Sequence, residues 1–301
     1  MSSQHRALHL RAVAAALLVT FLWSSSWVLI RWGLDDEALQ PVTFAALRYG
    51  LAALLLIGWV ASKRPLRQTI SGLDRRSLVQ IIILGVVFYT ITQGAQFVAI
   101  DNQPAATTSL VLSWSPLLVA ALGSLFIAET ATRRQIAGAL LVAAGAWAYF
   151  AGDLGATALG MMAALIAMAA NVASSLLGRN VNRRADCPPV VVTAISMAVG
   201  AALLVAVGIG TEGMPAVSAR AWLIIGWLAV VNTALAFTLW NYSLRRLSAL
   251  ESTAINNTML IQIALLAWIF LDENLGIAEI TGIVLVSIGV LLSQAARTRA
   301  T

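Results

Sequence analysis

Acidic side chains are almost missing from the apolar parts of this chain. Its 301 residues include only 13 Asp and Glu. None lies in the middle of an apolar run, and Glu129 and Glu251 stand only at run ends. Both histidines, His5 and His9, lie in the N-terminal tail, and Cys187 is the one cysteine. Each absence excludes something. A single thiol closes no disulfide within the chain. Runs without His or carboxylate offer no nucleophile–base pair and no metal-ligand set for an intramembrane enzyme, and no cofactor is expected. They also hold no carboxylate that could exchange a proton for a cationic solute. Charge is scarce as well, at 11% against roughly 25% in soluble domains, so no soluble domain is expected. The net charge of +6 would suit nucleic acid if clustered, but the basic residues are spread over short loops. Nucleic acid is therefore not an expected partner.

What is present is hydrophobic length. Apolar residues make up 60% of the chain, and a helix needs about 20 of them to cross a bilayer. Ten segments qualify, at approximately 12–33, 41–61, 77–99, 104–127, 133–151, 157–178, 188–209, 220–244, 249–271 and 276–294. The first follows Arg6 and Arg11 like a signal peptide, but it is too long for a signal core of roughly 7–15 residues and is taken as a retained span. Loops after even-numbered segments are basic and loops after odd-numbered ones are acidic. Sixteen of the 19 basic residues fall on one side, which the positive-inside rule makes cytoplasmic. Both termini are then cytoplasmic, and the lipid bilayer is a partner.

The chain also repeats itself. Glu129, Gly138, Leu141 and Gly145 recur as Glu273, Gly282, Leu285 and Gly289, each at an offset of 144, and Arg31 matches Arg179 at 148. Residues 1–153 and 154–301 thus form two halves of five segments. Because five is odd, the second half enters the membrane from the opposite side. The predicted fold class is all-α: a polytopic membrane protein of ten transmembrane helices in two inverted-topology five-helix repeats. That architecture is typical of secondary transporters.

Several local patterns coincide. The Glu–Gly–Gly sets close the fourth and ninth segments, and Pro116 stands thirteen residues before Glu129. Arg48 lies in Phe44-Ala-Ala-Leu-Arg48-Tyr-Gly, and Trp23-Ser-Ser-Ser-Trp27 lies in the first segment. With these features the chain resembles the EamA-type, ten-helix branch of the drug/metabolite transporter superfamily over nearly its whole length. The resemblance implies a basket that is able to act as a monomer in a bacterial inner membrane. Helices 1, 3, 4, 6, 8 and 9 would surround a cavity, with helices 5 and 10 outside it, and the cargo would be amino acids or other small metabolites. One departure is Leu260, the repeat mate of Pro116, so a proline kink in the fourth helix need not recur in the ninth.

Polar groups inside the segments mark the candidate site for a small-molecule substrate. Tyr89, Gln93 and Gln96 share one face of the third segment, and Trp23 and Trp27 stand one turn apart in the first. The fourth offers Ser113 and Trp114, the sixth Asn171 and Ser174, the eighth Asn232 and Trp240, and the ninth Asn256 and Asn257. Together they would hold a neutral or zwitterionic amphipathic solute, since amides pair with carboxylate and ammonium while indole faces pack an apolar body. The same residues could instead be interhelical glue. Trp32 and Trp59, near span ends, read as interface anchors. Arg48, seven residues past Pro41, is expected to snorkel outward or pair with an outer-loop acid rather than bind a substrate carboxylate.

Overall fold

The computed structural model describes residues 3–35, 37–103, 105–112, 114–115, 118–119, 122, 132–149, 156–183, 187–256, 258–270 and 276–295, and every regular element among them is helical. In chain order these are α1 (Ser3–Asp35), α2 (Pro41–Ser62), α3 (Arg64–Ser71), α4 (Arg75–Asn102), α5 (Ala105–Leu112) and α6 (Arg133–Tyr149). Then come α7 (Ala158–Arg183), α8 (Pro189–Thr211), α9 (Ala219–Leu244), α10 (Ala249–Asn256), α11 (Met259–Phe270) and α12 (Ile277–Ala295). Six of them (α1, α2, α4, α7, α8 and α9) are long and apolar enough to cross a bilayer. They coincide with segments one, two, three, six, seven and eight. Leu54, Trp59, Leu223 and Trp227 stand exposed on these helices. Such surfaces suit lipid, where each backbone polar group must be satisfied inside its own helix. The chain is a multi-pass membrane protein. Helix α3 is an addition to the sequence reading: its basic stretch is helical rather than loop and has no buried residue.

Helix starts follow from local chemistry. Pro41 and Pro189 occupy first-turn positions, where a missing N–H costs nothing. At α2 the Glu212 carboxylate accepts from the backbone N–H groups of Val42 (3.1 Å) and Thr43 (2.7 Å), placing a negative charge on the positive end of the helix. Ser218 caps α9 by accepting from Ala221 N at 3.0 Å, and Asp74 caps α4 in the same way through Ser77 N.

Two interruptions recur at one spacing. Helices α4 and α9 each contain a π-helical stretch, at Val86–Gln93 and Val230–Leu235. The stretches begin 144 residues apart. The second interruption is a turn. Thr258 N donates to Ile255 O at 2.9 Å and divides the ninth segment into α10 and α11. Trp114 N donates to Val111 O at 3.3 Å, again 144 residues earlier. The leucine at 260 therefore does not spare the ninth segment a break. The Thr258 hydroxyl also donates to Ile255 O, at 2.7 Å, so this carbonyl accepts twice at the turn. Pro116 and Glu129 lie outside the described residues, as does Glu273.

Packing pairs the segments in a regular way. Helix α2 packs on α8, α6 on α12, α4 on α7, α1 on α9, α1 on α11 and α5 on α7. Each contact has a counterpart when every segment is exchanged for the one five places away. Helices α6 and α12 run antiparallel. A Cβ on Gly145 would lie 2.7 Å from Leu285 Cβ, and one on Gly289 would lie 2.6 Å from Gly138 O. Only glycine permits this approach. Helices α2 and α8 also run antiparallel, with Thr43 beside Gly208 and Gly50 beside Val205. The main core lies between α2, α4, α8 and α9, around Phe44, Tyr49, Phe97, Leu204 and Phe237.

Candidate functional site

A cavity of about 120 Å³ lies within the bundle, a space for a small solute rather than a polypeptide. Its walls come from α1, α2, α4, α5, α7, α8, α9, α10 and α11; α6 and α12 contribute none. Most of the expected residues are there. Trp23 and Trp27 enter from α1, Tyr89, Gln93 and Gln96 from α4, Asn171 and Ser174 from α7, Trp240 from α9 and Asn256 from α10.

Three expectations fare differently and two more, Ser113 and Asn257, meet no test. Asn232 is buried away from the cavity, and its amide donates to Leu22 O and to Ser25 Oγ (3.0 Å), tying α9 to α1. The π stretch explains the error: it shifts the helical phase between Asn232 and Trp240, so a uniform 3.6-residue period misplaces the asparagine. Trp114 is 46% exposed and absent from the walls. Ser109 and Leu112 carry the cavity face of their segment, and Trp114 lies past the end of α5, in the turn that breaks the helix. Ser113 and Asn257 lie outside the described residues.

Arg48 is the third. Its side chain is 3% exposed and lines the cavity, and it neither snorkels nor meets an outer acid among the described residues. Nε donates to Thr233 Oγ1 at 2.8 Å and Nη2 to Asn232 O at 3.4 Å, both on the π stretch of α9. A π stretch leaves backbone carbonyls out of α register, and the guanidinium takes one of them. The adjacent Tyr49 hydroxyl donates to Gln93 Oε1 at 2.7 Å, at the end of the other π stretch. Two consecutive residues of α2 thus hold both interruptions.

The remaining lining is aromatic and amide-rich. Phe237 is a hub, with ring centroids 4.8 Å from Trp23, 5.1 Å from Tyr89, 5.2 Å from Phe88 and 6.2 Å from Tyr49. Trp240 stacks on Trp23 at 5.2 Å. Asn241 donates to Thr193 Oγ1 at 2.6 Å and accepts from Asn182 at 2.8 Å, so it both lines the cavity and joins helices. Two wall residues carry a buried atom with no hydrogen-bond partner among the described residues: the Trp23 indole N–H and Asn256 Oδ1. Unpaired buried polar groups are costly, and a bound solute or water would satisfy them. Other polar groups act as glue. Ser24 donates to Gln262 Oε1 at 2.9 Å, and Gln262 Nε2 donates to Thr20 Oγ1 at 3.2 Å, linking α1 to α11.

Tyr49, Phe237 and Ser196 were missed by the sequence reading. Phe237 stands three residues before Trp240, so helical spacing was a usable signal. Ser196 lies at the 148 offset from Arg48 that also relates Arg31 to Arg179, so the repeat pointed to it. Tyr49 carried no signal beyond its neighbour.

Known proteins share this organisation. The model of the EamA-like transporter family matches residues 10–151 and again 158–294. The chain is 24% identical over 269 residues to the uncharacterized transporter YyaM of Bacillus subtilis, covering 85% of both chains. It is 25% identical to a probable terminal-alkyne amino-acid exporter of Streptantibioticus cattleyicolor, over 81% of this chain and 80% of that one. It is also 25% identical to the S-adenosylmethionine/S-adenosylhomocysteine transporter of Chlamydia trachomatis. That match spans 37% of the relative's length, and a 32% identical match to an uncharacterized transporter of Archaeoglobus fulgidus spans 42%. A solved crystal structure superposes with a TM-score of 0.77 at 20% identity, over 96% of this chain and 99% of that one, and so shares the fold.

Proposed function

Since the chain belongs to the EamA-like transporter family, we propose that it is a secondary carrier that exports small neutral or zwitterionic metabolites, amino acids with aromatic side chains among them, by alternating access. The observation that carries this reading is the cavity itself, a space lined by amides, hydroxyls, aromatic rings and Arg48 within a bundle of membrane helices. An amphipathic solute finds an apolar bed on the Phe237 cluster and hydrogen-bond partners on Gln93, Gln96, Asn171 and Asn256. The exporter from Streptantibioticus supports an amino-acid cargo by its name. Of the two S-adenosyl cargoes named for the Chlamydia relative, S-adenosylmethionine carries a sulfonium cation, and no carboxylate among the described residues lines this cavity.

Alternating access needs two halves that can exchange roles. The double match to one family model supports ten crossings in two repeats, residues 1–153 and 154–301. The recurring π stretches and turns support the repeat, and antiparallel α2–α8 and α6–α12 pairs support its inversion. The membrane is taken as a bacterial inner membrane with both termini cytoplasmic, the working unit as a monomer.

The test is counterflow. Proteoliposomes loaded with one unlabelled amino acid should accumulate its labelled form transiently and saturably, with aromatic amino acids among the active cargo. Gln93→Ala, Trp240→Ala and Asn256→Ala should each cut the initial rate without loss of folded protein, by roughly tenfold where a hydrogen bond or ring contact worth about 1.4 kcal/mol is removed. Flux that fails to saturate identifies a channel. Unchanged rates in all three variants refute the site.

A further inference from the structure

Among the described residues of the cavity wall, Arg48 is the only side chain that carries formal charge at neutral pH. Its partners among the described residues are neutral: the Thr233 hydroxyl, the Asn232 carbonyl and the face of Tyr49, 5.1 Å from the guanidinium carbon. Two kinds of N–H on the guanidinium are engaged, and the rest of the fork has no protein acceptor among the described residues. A charge withdrawn from water and left without a counter-charge is strongly disfavoured.

Packing alone does not require that charge. The crossing of α2 over the π stretch of α9, Arg48 on Thr233, has a mate in the other half. There α8 packs on the π stretch of α4, and Ser196 and Tyr89 both line the cavity. The partners correspond at the repeat offsets, 148 for Arg48 and Ser196 and 144 for Tyr89 and Thr233. One half therefore makes the crossing with neutral groups. The guanidinium is an asymmetry placed at the wall of the solute space.

Resting on the carrier reading above, we infer that Arg48 anchors a carboxylate of the carried solute, and that the cavity selects an amphipathic acid with an apolar or aromatic body over an amine. The planar fork suits a carboxylate. The Phe237 cluster receives the body. The amide side chains of Asn171 and Asn256 on the wall are the neutral partners for an amino group where there is one. That group is dispensable because its acceptors here are neutral. An amine lacking the acid would bring a second positive charge beside Arg48 with no anion to offset either.

Equilibrium binding to the purified full-length protein tests this, with three probes: 3-phenylpropionate, L-phenylalanine and 2-phenylethylamine. Calorimetric titration should show both acids binding and the amine weaker by about ten- to hundredfold, the range of a hydrogen-bonded charge pair. In folded Arg48→Gln the gap should close, and Arg48→Lys should restore part of it. An amine that binds as tightly as the acids overturns the inference, as does failure of both acids to bind, or a gap that persists in folded Arg48→Gln. The wild-type comparison decides even if the glutamine variant does not fold. Counterflow of aromatic amines would remove the acid anchor and leave the carrier. Acid-selective binding without any counterflow would remove the carrier and leave the anchor.

Discussion

Arg48 shows how one residue takes on a role that its own neighbourhood in the sequence does not disclose. Its distance from Pro41 fits an outward-reaching side chain, yet it is held inside because the π stretch of α9 presents Thr233 and the Asn232 carbonyl to it. Cys187 departs similarly from an ordinary loop thiol. It is 6% exposed, and burial pushes its pKa up to about 11, with the nearby Arg245 guanidinium partly opposing the rise. Only the thiolate is nucleophilic. Alkylation by iodoacetamide should therefore be slow at pH 7.5 and climb by about tenfold per pH unit towards pH 11. Arg245→Gln should slow it further at any given pH, because the opposing cation is gone. Rapid labelling at neutral pH, measured by intact-mass spectrometry, would contradict the buried placement.

At the scale of elements, the positions of the helices were legible and their internal phase was not. Apolar length and the charged or proline-bearing ends marked α2, α8 and α9 to within a few residues. The π stretches carry no such mark. They are extra residues absorbed into helices that remain apolar throughout, so periodicity placed Gln93 on the cavity correctly and Asn232 wrongly. The glycines were legible as packing positions, and the structure supplies the partner: Gly145 meets Leu285 and Val286, and Gly289 meets Gly138 and Val142. Gly289→Leu should lower the thermal stability of the purified protein, since overpacking a close contact costs about 1–3 kcal/mol. Gly210→Leu, with no neighbour within 4 Å, should leave it nearly unchanged. Equal melting temperatures for the two variants would rule out tight α6–α12 packing as a source of stability.

Across the whole molecule, charge distribution governs orientation. In a Cys187→Ser background, Met214→Cys lies at an exposed position after α8, on the acidic side. A membrane-impermeant maleimide should label it from outside intact cells. Gln68→Cys, on basic α3, should be labelled only after permeabilisation. The reverse pattern would turn the protein over in the membrane. Loop charge sets this orientation because Lys and Arg are retained on the cytoplasmic face during insertion, a local property of each loop that needs no knowledge of the fold.

The same division runs through the chain. Apolar length, loop charge and the 144-residue echo are one-dimensional quantities, and lipid acts on each segment separately. The linear order of residues therefore determined by itself that this is a multi-pass helical membrane protein of internally repeated pattern, with polar groups set at chosen faces. Which of those groups meet across the cavity depended on helix phase and on contacts between residues far apart in the chain, 185 positions in the case of Arg48 and Thr233. Only the packed bundle decided that Asn232 serves as a tie, that Phe237 gathers the rings, and that a guanidinium without an acid faces the solute space. Such pairings follow from three-dimensional packing, where a single extra residue in a π turn rotates everything beyond it.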